Sequence, residues 1–513
     1  MQFIAHSYLI AFAAGVLAVP GFAPFALFPL PVLALAVLFW LWDRAEQPRH
    51  AAGLGFAFGM GLFTAGVGWI YIALHEYGYM HPVLAGTATL LFAALVSLPA
   101  ALAGYARARL GRASAGVSLL LLGPALWTLA EWLRGLIFTG FPWLAMGYSQ
   151  VPDSPLAGYA PLLGVYGVSL MVAVSAALLL SLIRRAAPAP SPAGGGLGWG
   201  KNLRIQASYM PMLQLICIWI AGSALQSIEW TRPQGEPLKV ALLQGNIPQD
   251  SKFEEGALIG TLETYRRLAQ NSDARLIVMP ETAVPLLRDN VPENYQALLR
   301  DHVKQNGGDI LIGAFEKEDG RYYNSVYSLG SSESQHYRKN HLVPFGEFIP
   351  LRSVLGWFIN EVLQIPMGDL ASGGARQPPL AVAGQQVAVN ICYEDAFGEE
   401  IIRALPQATL LVNVTNDAWY GDSHAAAQHN QLSQMRALET GRMLLRATNT
   451  GVTSVIGTDG QVLAMLPQHE EGVLAAQVQG YAGSTPYVRW GNAAMLGLLV
   501  LMLGTALRLR KHE

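Results

Sequence analysis

The chain contains two cysteines, and only one of them lies where a thiol could act as a nucleophile. Cys217 lies in an apolar run of helical character, where a cysteine is usually a small buried apolar residue. Cys392 ends the alternating apolar run Val387–Ile391, which predicts a strand, and Glu394 and Asp395 follow it closely. A strand that ends in a turn presents its last side chain on a rigid support. Cys392 is therefore the main candidate for chemistry.

Two charged residues precede Cys392 at the ends of other predicted strands. Glu281 follows the apolar stretch Arg275–Met279, and Lys339 follows a predicted β-hairpin. Because strand ends on one edge of a sheet converge, we expect these side chains to meet the thiol. A carboxylate could take the thiol proton, and an ammonium could stabilise the oxyanion of a tetrahedral intermediate. Taken singly, Glu281 could be a helix N-terminal carboxylate, Lys339 part of a solvated basic turn and Cys392 a structural thiol. Taken together, the three residues predict nucleophilic catalysis.

Short strand patterns alternate with helical patterns between residues 238 and 480. The predicted strands are Lys239–Leu243, Arg275–Met279, Ile310–Ala314, Tyr323–Leu329, Val387–Ile391, Thr409–Val414, Met443–Thr448 and Val452–Ile456. The predicted helices are Gly260–Gln270, Tyr295–Gln305, Glu399–Leu405 and Gln428–Leu438. Alternation of this kind predicts an α/β domain whose sheets are covered by helices.

The rest of the chain is strongly apolar. Hydrophobic residues make up 52% of the sequence and charged residues only 13%, about half the charged share of a soluble protein. This composition predicts a multi-span α-helical membrane domain, because a spanning helix needs about 20 mostly apolar residues. The candidate spans are Tyr8–Val19, Phe25–Trp42, Ala51–Leu74, Val83–Tyr105, Val117–Phe138, Leu163–Ile183, Tyr209–Ile228 and Ala493–Leu507. The first could instead be a signal peptide, but it lacks a positively charged start and is expected to be retained.

Basic residues follow every second span. They are Arg44 and Arg49, then Arg107, Arg109 and Arg112, then Arg184, Arg185, Lys201 and Arg204, and finally Arg508, Arg510 and Lys511. Because Lys and Arg mark the cytoplasmic side, both termini are expected inside and the soluble domain outside, which in a bacterium is the periplasm. We therefore expect a membrane domain of seven helices over 1–230, a periplasmic catalytic domain over 231–485, and a last span with a cytoplasmic basic tail over 486–513.

Net charge, cysteine spacing and one pair of charged residues limit the functions that the chain could have. The net charge of −2 gives no basic field for nucleic acid, and no cysteine pattern predicts a disulfide framework or a zinc site. Glu131 and Arg134, three residues apart near the outer end of the fifth span, could contact a lipid headgroup or substrate. We favour an ordinary interfacial pair whose side chains snorkel.

Several stretches of the predicted α/β domain carry a family resemblance. They are Gln244–Gln249, Pro280–Ala283, Lys339–Glu347, Cys392–Glu394, Asn416–Asp422 and Leu445–Gly451. In this order they resemble the carbon–nitrogen hydrolase (nitrilase) superfamily, and more closely its membrane branch, the apolipoprotein N-acyltransferases. The resemblance implies a nitrilase-like α-β-β-α sandwich and, with the layout of the spans, covers nearly the whole chain.

The resemblance also implies roles for particular residues. It makes Glu281 the general base, Lys339 the oxyanion-stabilising lysine and Cys392 the acyl-accepting nucleophile. It makes Glu347 a further required carboxylate, and Tyr393 and Glu394 residues that shape the pocket. It places Phe253, Asn416 and Trp419 where substrate would bind, although members of the family can carry tryptophan at the position of Phe253.

The implied activity is the transfer of the sn-1 acyl chain of a phospholipid, phosphatidylethanolamine by resemblance, to the α-amine of a diacylglyceryl-modified apolipoprotein through a thioacyl-cysteine. Expected partners are these two lipids and the bacterial inner membrane. No cofactor or metal is expected, and we expect a monomer. Two alternatives stay open: a membrane-anchored amidase or nitrilase acting on a small soluble substrate, and a transporter or scaffold that binds a ligand without turnover.

Overall fold

The computed structural model describes residues 2–111, 115–186, 200–250, 252, 254–349 and 369–510. Its internal contacts divide the chain into two compact units. The first unit comprises Met1–Gly68, Leu90–Ile228 and Asn492–Glu513. The second comprises Trp69–Thr89 and Glu229–Gly491, so it includes a short segment from the apolar half of the sequence.

Helices form at each of the eight predicted spans. They are Gln2–Ala18, Pro29–Arg44, Pro48–Gly66, Pro82–Leu110, Gly123–Arg134, Ala160–Ala186, Gly200–Gln226 and Ala493–Arg510. Two of them end four or more residues earlier than predicted. The third ends at Gly66, after which Trp69–Ile72 forms a separate helix, and the fifth ends at Arg134. Phe138, the predicted end of that fifth span, has φ +57° and cannot continue a right-handed helix.

Fewer than eight of these helices meet a strict test for crossing a membrane. Among the described residues, Pro82–Leu110, Pro155–Arg185 and Tyr209–Gln226 are long and apolar enough, which gives three. There are four if Pro48–Gly66 and Trp69–Tyr77 are one bent span. The apolar helices His6–Gly21 and Ala493–Leu509 are shorter. The count of eight spans therefore stays a prediction.

Charged side chains, some of them buried, hold parts of the first unit together. Asp43 pairs with both Arg107 and Arg184, which joins three helices. Glu131 and Arg134 are also buried, at 4% and 6% exposure, so the prediction that they snorkel is wrong.

The segment that follows the helix Gly123–Arg134 explains why Glu131 and Arg134 are buried. It folds back so that Arg134 donates to the carbonyl of Trp143 at 2.7 Å, and the backbone N–H of Met146 donates to Glu131 at 3.0 Å. Cys217 was expected to be buried, but its side chain is exposed on its helix.

The second unit is built on two six-stranded sheets. Its strands are β1 Thr231–Gln244, β2 Leu276–Val278, β3 Asp309–Glu318, β4 Arg321–Gly330, β5 His336–Arg338, β6 Leu380–Val382, β7 Gln385–Ile391, β8 Leu410–Thr415, β9 Leu444–Thr448, β10 Ser454–Ile456, β11 Val462–Met465 and β12 Gly472–Gly483. The first sheet has the order β12-β1-β2-β3-β4-β5, and the second β11-β10-β9-β8-β7-β6. β1, β2 and β3 run parallel, as do β7, β8 and β9, and the outer strands of each sheet are antiparallel.

Alternation along each strand produces four layers. In β1, Val240 and Leu242 join a core shared with residues of the second sheet, whereas Ala241 and Leu243 pack with residues of the helices Glu255–Gln270 and Glu293–Gln305. The second sheet does the same: alternate residues of β7, β8 and β9 enter the shared core, and Ala388, Leu411 and Leu444 pack with helical residues on its other face. Because successive side chains along a strand point to opposite faces, each sheet has both of its faces buried. The predicted α-β-β-α sandwich is confirmed.

The predicted strands are all present, with end points shifted by up to eight residues, while β6, β11 and β12 were not predicted. These three lie at sheet edges, where one side of a strand has no neighbour to bury it. The predicted helix Glu399–Leu405 is only a short helix, Gly398–Ile401, followed by a 3₁₀ turn. Glu281 and Lys339 follow strands of the first sheet and Cys392 a strand of the second, so the expectation that all three share one sheet edge is wrong.

Candidate active site

Cys392 lies at the point where β7 gives way to a 3₁₀ turn, Cys392–Ala396. Its φ is +55°, a left-handed conformation that non-glycine residues rarely adopt and that costs free energy unless the surroundings hold it. Its carbonyl oxygen accepts from Asn413 Nδ2 at 3.1 Å and lies 3.2 Å from His429 Nε2. The side chain is buried. The candidate nucleophile is thus presented by a strained and well-held turn.

Lys339 follows β5 directly and is almost fully buried. Its ammonium donates to Glu347 Oε1 at 2.8 Å and lies 3.6 Å from Glu281 Oε1. Its own backbone N–H donates to the carbonyl of Asn324 at 2.8 Å, which extends the pairing of β4 and β5 by one residue. A buried ammonium between two carboxylates has a fixed position and a fixed charge.

Glu281 follows β2 and is held by donors on both carboxylate oxygens. Oε1 accepts from Asn324 Nδ2 at 2.7 Å, and Oε2 accepts from the backbone N–H of Asn416 at 3.0 Å. Gly313 lies against this segment so closely that a Cβ there would be 2.3 Å from the carbonyl oxygen of Pro280. The position of the carboxylate therefore depends on β2, β3, β4 and the turn after β8.

The charges of these three residues influence one another. Burial alone would lower the pKa of Lys339, but the carboxylates of Glu347 and Glu281 raise it well above its ordinary value. Burial, and then the charge of Glu281, raise the pKa of Cys392 well above that of a free thiol, while Lys339 acts in the opposite direction. The resting site consequently contains a protonated thiol beside a permanently charged ammonium.

Glu394 connects the nucleophile turn to the segment that carries Lys339. Its carboxylate accepts from the backbone N–H groups of Ile391 at 2.6 Å, Asn340 at 2.7 Å and His341 at 3.0 Å, and from the hydroxyl of Tyr337 at 2.9 Å. Burial raises its pKa to about 7 despite these donors. It therefore connects a segment that follows the first sheet with the turn that follows β7 of the second.

The other two predicted supporting residues also lie beside the triad. Glu347 holds Lys339 through Oε1, and its Oε2 accepts from the backbone N–H of Val343 at 2.8 Å. Tyr393, next to the thiol, is buried and packs edge-on against Phe397, with ring centroids 5.1 Å apart, and against His341 at 5.8 Å. The structure thus brings both residues to the site.

The three predicted substrate-binding residues differ in how they lie relative to the site. Phe253 lies outside the described residues. Asn416 is buried and engaged within the protein: its side chain donates to Gln249 at 2.6 Å, and its backbone holds Glu281. Trp419 is 41% exposed, and its ring lies 6.2 Å from that of Tyr77. Of the two described residues, only Trp419 has a free surface for substrate.

Tyr77 belongs to the segment Trp69–Thr89, which joins the second unit by contacts near the site. Trp69 Nε1 donates to Gln428 at 3.2 Å, and its ring packs against Tyr420 with centroids 4.6 Å apart. Tyr420 follows Trp419 in the turn after β8. This segment therefore supports the turn that begins with the carboxylate-binding Asn416.

Sequence analysis missed three buried polar residues at the site. Asn324 donates to both Glu281 and Glu347. Lys252 donates to the hydroxyl of Thr282 at 2.7 Å and to the carbonyl of Glu281 at 3.3 Å, and its pKa is lowered to about 8, chiefly by burial. His429 contacts the carbonyl of Cys392. No local pattern in the sequence marked these three residues.

These residues can carry out acyl transfer by nucleophilic attack. A thiol, a carboxylate able to accept its proton and a buried ammonium able to stabilise an oxyanion are brought together by two packed sheets. Among the residues that the structure describes, no group of three or more His, Cys, Asp or Glu side chains could hold a metal ion.

Comparison with known proteins agrees with this fold and chemistry. Residues 239–487 match the model of the Carbon-nitrogen hydrolase family, so the second unit is a carbon–nitrogen hydrolase domain. Residues 14–178 match the Apolipoprotein N-acyltransferase N-terminal domain.

Relatives similar to the whole chain are apolipoprotein N-acyltransferases. One from Nitrosomonas europaea is 51% identical over 496 residues, which cover 96% of this chain and 95% of the relative. One from Methylococcus capsulatus is 42% identical and covers 98% of this chain and 96% of the relative. A CN-hydrolase superfamily protein of known structure from Xanthomonas campestris is 19% identical, with a TM-score of 0.37, over 52% of this chain and 97% of that chain. The chain belongs to the apolipoprotein N-acyltransferase family, as its motifs predicted.

Proposed function

We propose that this protein transfers an acyl chain from a phospholipid to the N-terminal amine of a diacylglyceryl-modified apolipoprotein, with Cys392 carrying the acyl group between the two lipids. The observation that carries the proposal is the convergence of a buried thiol, Glu281 and Lys339 at one site. Family membership supplies the lipid substrates.

In the first step the thiol attacks the sn-1 ester carbonyl of the phospholipid. Because the resting thiol is protonated, Glu281 takes the proton as the Cys392 S–C bond forms. The carbonyl oxygen becomes an oxyanion, which Lys339 stabilises. The intermediate collapses by breaking the ester C–O bond, and Glu281 returns the proton to the departing oxygen, which gives a lysophospholipid and a thioester on Cys392.

In the second step the neutral α-amine of the apolipoprotein attacks the thioester carbonyl. Lys339 again stabilises the oxyanion, and Glu281 accepts a proton from the amine. Breaking the C–S bond gives the amide, and the proton passes to the sulfur of Cys392, which restores the resting site. Because the enzyme is acylated before the second lipid reacts, ping-pong kinetics are expected.

The remaining elements of the proposal concern the setting of the reaction. Phosphatidylethanolamine is the proposed acyl donor. The protein is proposed to be a monomer in the bacterial inner membrane, with its catalytic domain in the periplasm and both termini in the cytoplasm. The domain limits 1–230, 231–485 and 486–513 are proposed with them. Basic residues after alternate spans support this orientation. A site beside the bilayer avoids exposing acyl chains to water, which would cost about 0.8 kcal/mol per CH₂.

The test uses the full chain in detergent micelles with phosphatidylethanolamine labelled in its sn-1 chain. Mass spectrometry should find the labelled acyl group on Cys392, and adding a diacylglyceryl peptide with a free amine should move it to that amine. Cys217→Ser is the matched control and should behave like the unmodified chain, whereas Cys392→Ser should form no thioester. An amide-hydrolysing enzyme would hydrolyse small amides without acquiring label, and a binding protein would do neither; N-acylation by Cys392→Ser would contradict the proposal.

A further inference from the structure

A closed ring of four buried charges lies directly behind the nucleophile. His429 places Nε2 2.9 Å from Asp395 Oδ1 and Nδ1 2.8 Å from Asp417 Oδ1. Arg446 closes the ring, with NH1 3.1 Å from Asp395 Oδ2 and NH2 3.0 Å from Asp417 Oδ2. All four side chains are at most 2% exposed. Nothing in the mechanism above uses this ring.

The geometry of the ring defines the charge of His429. Each of its nitrogens faces a carboxylate oxygen, which can only accept, so both nitrogens must carry protons. Burial and the charge of Arg446 lower the pKa of His429, but the carboxylates of Asp395 and Asp417 raise it by more. The resulting pKa is about 9. The ring then contains two cations and two anions, which is the balance that allows it to be buried.

The ring reaches both halves of the catalytic apparatus. The Nε2–H of His429, which faces Asp395 Oδ1, is shared with the carbonyl oxygen of Cys392 at an N···O distance of 3.2 Å, and that carbonyl also accepts from Asn413. On its other side the ring contains Asp417, next in sequence to Asn416, whose backbone N–H holds Glu281. The nucleophile turn and the turn that orients the base are thus connected through one side chain.

We propose that His429 is a positioning residue for the thiol: as an imidazolium held between Asp395 and Asp417, it holds the carbonyl of Cys392 and with it the left-handed backbone that presents the side chain to Glu281 and Lys339. The inference rests on the proposed function, since it assigns Cys392 as the nucleophile. It goes further by naming what maintains the strained turn. Without this donor, the peptide after Cys392 could rotate and move the thiol away from its partners.

Two neutral variants separate positioning from a purely structural role. The amide nitrogen of glutamine can replace Nε2 of histidine, whereas that of asparagine can replace only Nδ1. His429→Gln therefore keeps a donor toward the Cys392 carbonyl, and His429→Asn loses it, although both lose the same positive charge. In single-turnover formation of the thioester with labelled phosphatidylethanolamine, we expect His429→Asn to be at least tenfold slower than His429→Gln, with similar melting temperatures and KM for the donor within about twofold of the unmodified chain.

Equal rates in the two variants, with equal losses of melting temperature, would overturn the proposal. If both variants fail to fold, Asn413→Asp tests whether the held carbonyl of Cys392 positions the thiol, because it removes the second donor to that carbonyl while keeping an acceptor for Arg446. It must slow thioester formation by about tenfold or more, and an unchanged rate would overturn the proposal. If the unmodified chain forms no thioester, the proposed function fails instead. The Gln and Asn variants are then compared by iodoacetamide alkylation of Cys392 in a Cys217→Ser background, where Gln must still exceed Asn.

Discussion

Replacing Glu281 by glutamine removes the proposed base while preserving the shape of the side chain. In the structure, one carboxylate oxygen accepts from Asn324 and the other from the backbone of Asn416, so every contact of this side chain requires an acceptor. Glutamine can offer an oxygen to only one of them. Its NH₂ group then faces a donor, and leaving a buried donor unsatisfied costs about 1–3 kcal/mol.

The chemical loss adds to this structural cost. Removing a general base slows a step by about 10²–10⁴-fold, so Glu281→Gln should slow thioester formation by about 10³-fold or more. The measurement is the single-turnover rate of acylation of Cys392 by labelled phosphatidylethanolamine, followed by quenching and intact-mass analysis. KM for the donor should change little, because the proposed mechanism gives this carboxylate a proton to accept and no part in holding the donor.

Glu347→Gln is the matched control, since it removes an equal charge beside the same ammonium. Both variants should be slow, but Glu281→Gln should be at least about tenfold slower than Glu347→Gln, because it loses the proton acceptor as well as the charge. Acylation of Glu281→Gln within threefold of the unmodified rate, or at the same rate as Glu347→Gln, would refute the assignment of the base.

Other predictions follow from the same geometry. Lys339→Met should slow acylation by about 10²–10³-fold by removing an oxyanion donor, and near-normal single-turnover rates would exclude that role. Gly313→Ala should lower both melting temperature and activity, because its Cβ would lie 2.3 Å from the carbonyl oxygen of Pro280 and displace Glu281; a variant unchanged in both would show that the backbone there can move freely. The proton on His429 should contribute about 3 kcal/mol to stability, from a pKa raised from 6.5 to about 9. Because the folded state binds this proton more tightly, the contribution is fully present below pH 6.5 and lost as the pH rises through about 9, which unfolding curves across that range would detect and which a flat dependence would contradict.

Local patterns in the sequence were sufficient to predict most of the architecture. Alternating apolar residues located the central strands, since burial on both faces of a sheet leaves a period of two or a continuous apolar run. The edge strand β11 escaped prediction although its four residues are all apolar, because so short an apolar run does not by itself distinguish a strand. Apolar composition located the helices at all eight predicted spans, but it could not predict the break after Gly66 or the burial of Glu131.

For the site, the sequence by itself determined which residues are chemically able to act. Cys392, Glu281 and Lys339 could each be found because a reactive side chain follows a strand, and the surrounding motifs gave the family. Only the tertiary structure decided how they meet, since the thiol comes from one sheet and its partners from the other. The same holds for Asn324 and His429, whose roles depend on buried hydrogen bonds between segments far apart in the chain. Such contacts leave no local period or spacing, because strand pairing within a sheet and the packing of a helix beside a sheet bring them together.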